Sequence, residues 1–159
     1  MVARWPRLVE LDGQESRHVL EAMKDGVLIR SLRSPTSVDA VAVLRPQLNM
    51  AEVAEALARG LTHEGKSYDF DFDFTRSDRL VCTEVVYRSY EGLGPIRFQL
   101  SRRAGRQTLA AEDLIHMALA RAGFEPLAAY CPQHAAELQT GAAAERILRQ
   151  THVASASKS

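Results

Sequence analysis

A chain of 159 residues carrying 20 basic and 20 acidic side chains is long enough for one domain with a real core and too short for two comfortable ones. Zero net charge excludes general electrostatic attraction to nucleic acid or to an anionic membrane, and no apolar run approaches the length of a membrane span. With Cys82 and Cys131 as the two cysteines and no apolar leader, neither a disulfide framework nor a zinc spacing is indicated, and a reduced, cytoplasmic setting is expected.

Residues 1–16 hold Trp5, Pro6 and mixed charge, with a short helix or strand at residues 7–11 ended by Asp12-Gly13. Residues 18–22 and 26–30, flanking the Asp25-Gly26 turn signal, read as two antiparallel strands. A third strand is predicted over residues 38–44, stopped by Arg45-Pro46. Asn49 then caps a helix over residues 50–61, in which Val53, Leu57 and Leu61 form an apolar stripe and Gly60 and Gly65 bracket the exit.

From Tyr68 to Phe74 aromatic and acidic residues alternate. That is the pattern of a strand with Phe70, Phe72 and Phe74 on a dry face and Asp69, Asp71 and Asp73 on a wet one. Thr75-Arg-Ser-Asp78 breaks the alternation, and Cys82, Val85, Val86 and Ser89 then recur at helical spacing, which places the sulfur near a helix N-terminus on the inward-looking face. The helix dipole and unpaired amides favour a thiolate there, the usual way a protein makes cysteine nucleophilic. Beyond a loop at residues 91–95, a strand is predicted over 96–100, a helix capped by Thr108 over 110–122 and closed by Gly123, and a last strand over 124–130. An amphipathic helix over 142–150 precedes a Ser/Ala/Lys tail expected to be disordered. Short, mostly antiparallel strands interrupted by helices give an α+β class, with one domain over residues 1–132 and a C-terminal helix and tail over 133–159.

Three aspartates at alternate positions invite a metal reading, yet side chains two apart on a strand are spread by roughly 7 Å, too far to grip one ion together. A solvated strand face, neutralised in part by arginines such as Arg97, fits better. Arg102, Arg103 and Arg106 form a basic cluster in a loop without interleaved aromatics, which reads as a solvated turn rather than a nucleic-acid site. No cofactor or metal site is indicated.

The segment Asp78-Arg-Leu-Val-Cys-Thr-Glu-Val-Val-Tyr-Arg-Ser-Tyr90, preceded by Gly65-Lys-Ser-Tyr-Asp69, resembles the circularly permuted papain-like cysteine hydrolases of the YiiX/YaeF type, relatives of the NlpC-type amidases. His18-Val-Leu-Glu-Ala-Met-Lys-Asp-Gly-Val27 and Val41-Ala-Val-Leu-Arg-Pro46 are similar to further strands of that family, so the resemblance covers about residues 18 to 125. It implies a permuted papain-like fold, with an antiparallel sheet and a helix that carries Cys82 at its N-terminus. Cys82 would be the nucleophile, Glu21 the residue that orients the catalytic histidine, and Tyr68 a hydroxyl supporting the oxyanion beside the backbone amides at the helix start.

The family's own histidine pattern, of the form His-Val-Ala/Gly-Ile-Tyr-Leu-Gly, is not found, and the nearest analogue, Trp5-Pro-Arg-Leu-Val-Glu-Leu-Asp-Gly13, places Arg7 at the histidine position. Either the first strand is missing from this chain or its base has been replaced. His18 is the first candidate base, although three residues on a strand put it and Glu21 on opposite faces. His63, His116, His134 and His152 are the others, and Cys131 reads as structural. The implied activity is that of an amidase or peptidase acting through an acyl-enzyme on a peptide, lipid or other acyl-amide substrate. A catalytically silent relative serving as a ligand- or partner-binding domain is the alternative.

Overall fold

Asp25-Gly26 turns the chain as the sequence implies. The computed structural model describes residues 16–71, 74, 78–103 and 105–156; the readings placed on Trp5, residues 7–11 and Phe72 lie outside that range. β1 (Arg17–Met23) folds back antiparallel onto β2 (Gly26–Ser31), with Glu21 opposite Leu28 and Ala22 opposite Val27. Gly26 takes φ +110°, and a Cβ there would stand 2.7 Å from the carbonyl oxygen of Lys66. Its absence lets Val27 N–H donate to Lys66 O at 2.9 Å while Gly65 N–H donates to Val27 O at 2.8 Å, tying the hairpin to the segment that leads into the site.

A single turn of helix, α1 (Arg33–Thr36), follows, so the third strand starts later than expected, as β3 (Val41–Pro46). The Thr36 and Ser37 hydroxyls donate to Leu32 O at 2.9 Å and Arg33 O at 2.7 Å, offering this stretch local partners in place of a ladder. α2 (Met50–Leu61) has the expected bounds and a reciprocal cap: Glu52 N–H donates to Asn49 Oδ1 at 3.0 Å and Asn49 N–H to Glu52 Oε2 at 2.9 Å.

The alternating segment departs from expectation. Among its described residues only β4 (Ser67–Tyr68) is strand, and it pairs in parallel with β5 (Arg79–Leu80). Asp69 then uses its carboxylate to accept Asp71 N–H at 3.0 Å, a two-residue side-chain turn that takes the chain out of the extended line. Asp69 and Phe70 depart from their predicted faces as a result: Asp69 is 0% exposed and Phe70 is 64% exposed. Phe74 keeps its inward role, 5.9 Å ring to ring from Tyr87.

α3 (Cys82–Tyr90) comes directly out of β5 through the buried Val81. Residues 96–100 form no ladder; Ile96 and Phe98 still point inward, but the amide of Phe98 is satisfied by Glu91 Oε2 at 2.8 Å instead of by a neighbouring strand. The basic loop is a small hairpin, β6 (Ser101–Arg103) with β7 (Arg106–Thr108). α4 (Ala111–Leu119) is shorter than predicted, and its N-cap is Ala110, not Thr108, because the Asp113 carboxylate accepts Ala110 N–H at 2.7 Å and sets the first turn there. β8 (Phe124–Tyr130) has the expected bounds; β9 (Gln139–Thr140) and the longer helix α5 (Gly141–Ala156) end the described chain.

Instead of the one antiparallel sheet that the resemblance implies, the described residues hold a β3-β8-β9 antiparallel sheet and three two-stranded ones. Three apolar clusters join them. Ile96, Phe98, Leu109, Ala118 and Phe124 pack under the aromatic side of α3. Ala129 and Cys131 pack against Ala144, Ile147 and Leu148 of α5. Ala22 and Val27 of the hairpin pack against Leu80 and Val85, holding the start of α3 against the β1-β2 pair. Each such large side chain contributes about 1.5–3 kcal/mol through burial.

Candidate functional site

Leu80 and Val81 are fully buried, and this anchor projects the first turn of α3 outward. Val81 is the N-cap, extended at φ −89°, ψ 166°, and its side chain makes no capping bond. The amides of Cys82 and Thr83 therefore open the helix without an intrahelical acceptor, at the positive end of its dipole. Cys82 itself is exposed, which corrects the inward placement read from the spacing. Val85 and Ser89 on the same side are buried, but the cover given by the hairpin and α2 begins one turn further along.

Around that thiol the segment of β4 supplies two groups. Burial raises the Tyr68 phenol above its ordinary value, and the nearby charges of Cys82 and Asp69 push the same way, so it remains a neutral donor beside the sulfur. Asp69 is buried against the chain leaving β5, its N–H donating to Leu80 O at 3.3 Å. The expected solvated aspartate face is thus absent at this position. Arg97 does not neutralise it; the Arg97 guanidinium donates to Gly94 O at 3.0 Å and Ile96 O at 2.6 Å. Arg106 of the hairpin donates to Asp71 O, and Arg103 lies 3.4 Å from Asp113.

The buried Glu84, on the other side of α3, escaped the sequence reading, and His63 has surroundings that the sequence did not show. Glu84 is 0% exposed, and one of its oxygens accepts from Arg88 Nε at 2.8 Å and Nη2 at 2.6 Å, while the second oxygen is buried with no partner. Burial raises its pKa, against the opposing pull of Arg88, and the charge of Asp69 adds to the rise. Arg88 also reaches Phe74 O at 3.3 Å. His63, in the turn after α2, has a buried Nδ1 without a partner, and burial followed by the charges of Lys66 and Arg88 lowers its pKa. An acidic residue four before a basic one was a visible signal for the Glu84–Arg88 pair; nothing in the sequence marked it as buried.

The structure does not bring the other sequence candidates to the thiol. Leu20 and Ala22 turn toward Leu80 and Val85, so Glu21 faces the other way, where Ser34 Oγ donates to it at 2.6 Å and Arg30 Nε lies at 3.4 Å. His18 is exposed and lines a cavity with Ser89 and Tyr90, roughly 10 Å along α3 from Cys82. His116 and His134 are exposed on α4 and in the turn after β8. The side chain of His152 lies outside the described residues. Cys131 is buried beside α5, as a structural thiol would be. Among the described residues no three His, Cys, Asp or Glu side chains gather as a metal cage, and no helix is long and apolar enough to cross a membrane.

A mixed helix-and-sheet fold presenting a thiol on the first residue of a helix is the arrangement on which papain-like hydrolases are built. The model of one such family, the permuted papain-like amidase enzymes of the YaeF/YiiX, C92 family, matches residues 8–140, and the chain belongs to that family. Comparison with curated proteins and with solved structures gave no match.

Proposed function

We propose that the chain is a slow thiol amidase with Cys82 as nucleophile. The observation that carries this reading is the exposed sulfur on the first residue of α3 in a member of an amidase family. The sulfur attacks the substrate carbonyl, and the amides of Cys82 and Thr83, with the neutral Tyr68 phenol, stabilise the oxyanion. The carbon–nitrogen bond breaks, the amine leaves with a proton, and water hydrolyses the thioester. That proton limits the rate: a positioned general acid–base is worth about 10²- to 10⁴-fold, and among the described residues no imidazole stands beside the thiol. No step is assigned to His18 or Glu21, since one lines the cavity and the other is engaged by Ser34 and Arg30. The same lack of a neighbouring imidazole favours a second reading, a silent relative that binds ligands without turning them over.

Turnover of matched acyl esters and acyl amides by the chain, by Cys82→Ala and by His18→Ala separates these. Slow turnover lost in Cys82→Ala and kept in His18→Ala, with esters ahead of amides because their leaving group needs no proton, supports the amidase reading. No Cys82-dependent turnover of either substrate leaves the binding-domain reading. Fast amide turnover abolished by His18→Ala makes His18 the base and overturns the assignment above.

A further inference from the structure

A parallel ladder sets two segments level with each other, and β4 and β5 form one: Ser67 pairs with Arg79 and Tyr68 with Leu80. Asp69 N–H continues it, donating to Leu80 O at 3.3 Å. Counted on in this register, Phe70 follows Tyr68 as Cys82 follows Leu80, on segments about 5 Å apart where they pair. Both residues face solvent, the Phe70 side chain being 64% exposed.

One exposed aromatic side chain means little by itself. Phe70 differs in being fixed on both sides. Asp69 before it is fully buried, and the Asp69 carboxylate accepts Asp71 N–H at 3.0 Å; Arg106 of the β6-β7 hairpin donates to Asp71 O after it. The inward direction is thus taken by Asp69, and Phe70 is held outward. Its ring meets the Tyr68 ring edge to face, 5.1 Å between centres and at 67°. That single stacked contact steadies the ring while most of its surface stays open beside the thiol.

We propose that Phe70, backed by Tyr68, is a specificity-determining residue: an aromatic ledge beside Cys82 that seats an aromatic ring of the substrate, a few bonds from the scissile carbonyl. Its part in a reaction rests on Cys82 being the nucleophile. With the carbonyl carbon at the sulfur and its oxygen toward the Tyr68 phenol, a ring on either the acyl or the amine side comes within reach of Phe70. An aromatic pair of this kind is worth roughly two- to tenfold in affinity. A cationic group also favours the face of a ring, but here the Arg106 guanidinium at Asp71 O opposes it.

The ledge is tested on the thiol itself, apart from turnover, by alkylating Cys82 with substituted iodoacetamides and following the modified peptide by mass spectrometry. Relative to their rates with free cysteine, N-benzyliodoacetamide should react several-fold faster than N-methyliodoacetamide. Phe70→Ala lowers that ratio roughly two- to tenfold, and Phe70→Tyr preserves it. Met50→Ala, at a side chain 84% exposed on α2, leaves the ratio unchanged. The N-methyl reagent reacts alike with all of these chains, and the N-cyclohexylmethyl reagent, of similar size but without a π face, gains less than the benzyl one. In turnover, a benzyl group on the acyl or amine side lowers KM, and Phe70→Ala raises KM again with kcat little changed. A benzyl-to-methyl ratio indifferent to Phe70→Ala, an equal gain for the cyclohexylmethyl reagent, or a set led by the cationic N-(2-aminoethyl) reagent overturns the ledge. The alkylation pattern as described without Cys82-dependent turnover leaves the ledge standing as a ligand contact and overturns the nucleophile reading on which its part in a reaction rests.

Discussion

Glu84 holds both the Nε and Nη2 hydrogens of Arg88 on one carboxylate oxygen, at 2.8 and 2.6 Å, and through Arg88 it is linked to the carbonyl of Phe74. The pair therefore fastens the 69–78 segment to the middle of α3. Glu84→Ala leaves a three-quarters buried guanidinium without this partner, and a loss of about 3 kcal/mol is expected from urea unfolding. Glu84→Gln keeps an acceptor for Arg88 and should cost about 1 kcal/mol. A Glu84→Gln variant as stable as the parent, with the loss confined to Glu84→Ala, would show that side-chain volume, not the ion pair, matters at this position.

The same carboxyl sets a pH dependence of definite sign. Its folded-state pKa lies above the ordinary glutamate value of 4.5, so the native state binds the proton more tightly than the unfolded chain does. The contribution to stability is complete below 4.5 and is lost as pH rises through the raised folded value. His63 acts in the other direction: its folded pKa lies below 6.5, so stability falls as pH drops below 6.5 toward the folded value. Unfolding free energies of the parent, Glu84→Gln and His63→Gln should diverge with these two opposite slopes. Parallel curves would mean that neither group titrates differently on folding.

Cys82 is exposed and Cys131 is buried under α5. Limiting iodoacetamide should modify Cys82 first, with Cys131 following only as the fold opens. Mass spectrometry of the two peptides reads the order directly, and earlier labelling of Cys131 would contradict this placement of the thiols.

Gly26 and Gly65 offer a controlled comparison, since both have positive φ, but a Cβ on Gly26 would meet Lys66 O at 2.7 Å and one on Gly65 would meet nothing within 4 Å. Gly65→Ala should therefore cost about 1 kcal/mol, from strain alone. Gly26→Ala should cost up to about 3 kcal/mol, because the backbone must also move away from the Val27–Lys66 bond. Indistinguishable denaturation midpoints would argue that the hairpin and the β4 segment are not tied at this point.

Where the sequence was read correctly, the signals were local. The Asp25-Gly26 turn and the Asn49 cap each depend on residues within one element, and the hairpin and α2 follow them. The alternation at 68–74 reported a preference for extended backbone but carried no information about a partner strand. Asp69 then found Asp71 N–H more readily than a ladder, so that Asp69 is buried and Phe70 exposed. The basic stretch around Gly105 hid a hairpin, because arginines on an exposed two-stranded turn look like loop residues. That Cys82 opens a helix was legible from its spacing, and its exposure was not. The burial of Glu84, the partnerless Nδ1 of His63 and the cavity between α2, α3 and the hairpin were not, since each depends on which segments meet from distant parts of the chain.

The β3-β8 pairing has a consequence for synthesis. Val41 lies opposite Tyr130, and the cluster around Ala129 and Cys131 closes only when Ala144, Ile147 and Leu148 arrive. Nearly the whole chain must therefore leave the ribosome before this sheet acquires its second strand and its cover. Until then the β1-β2 hairpin and α2 emerge as locally ordered pieces with apolar sides open to water, and contacts of such large sequence separation form slowly. A nascent chain stalled before α5 would leave Ala129 and Cys131 open to water, and the arrival of α5 covers them.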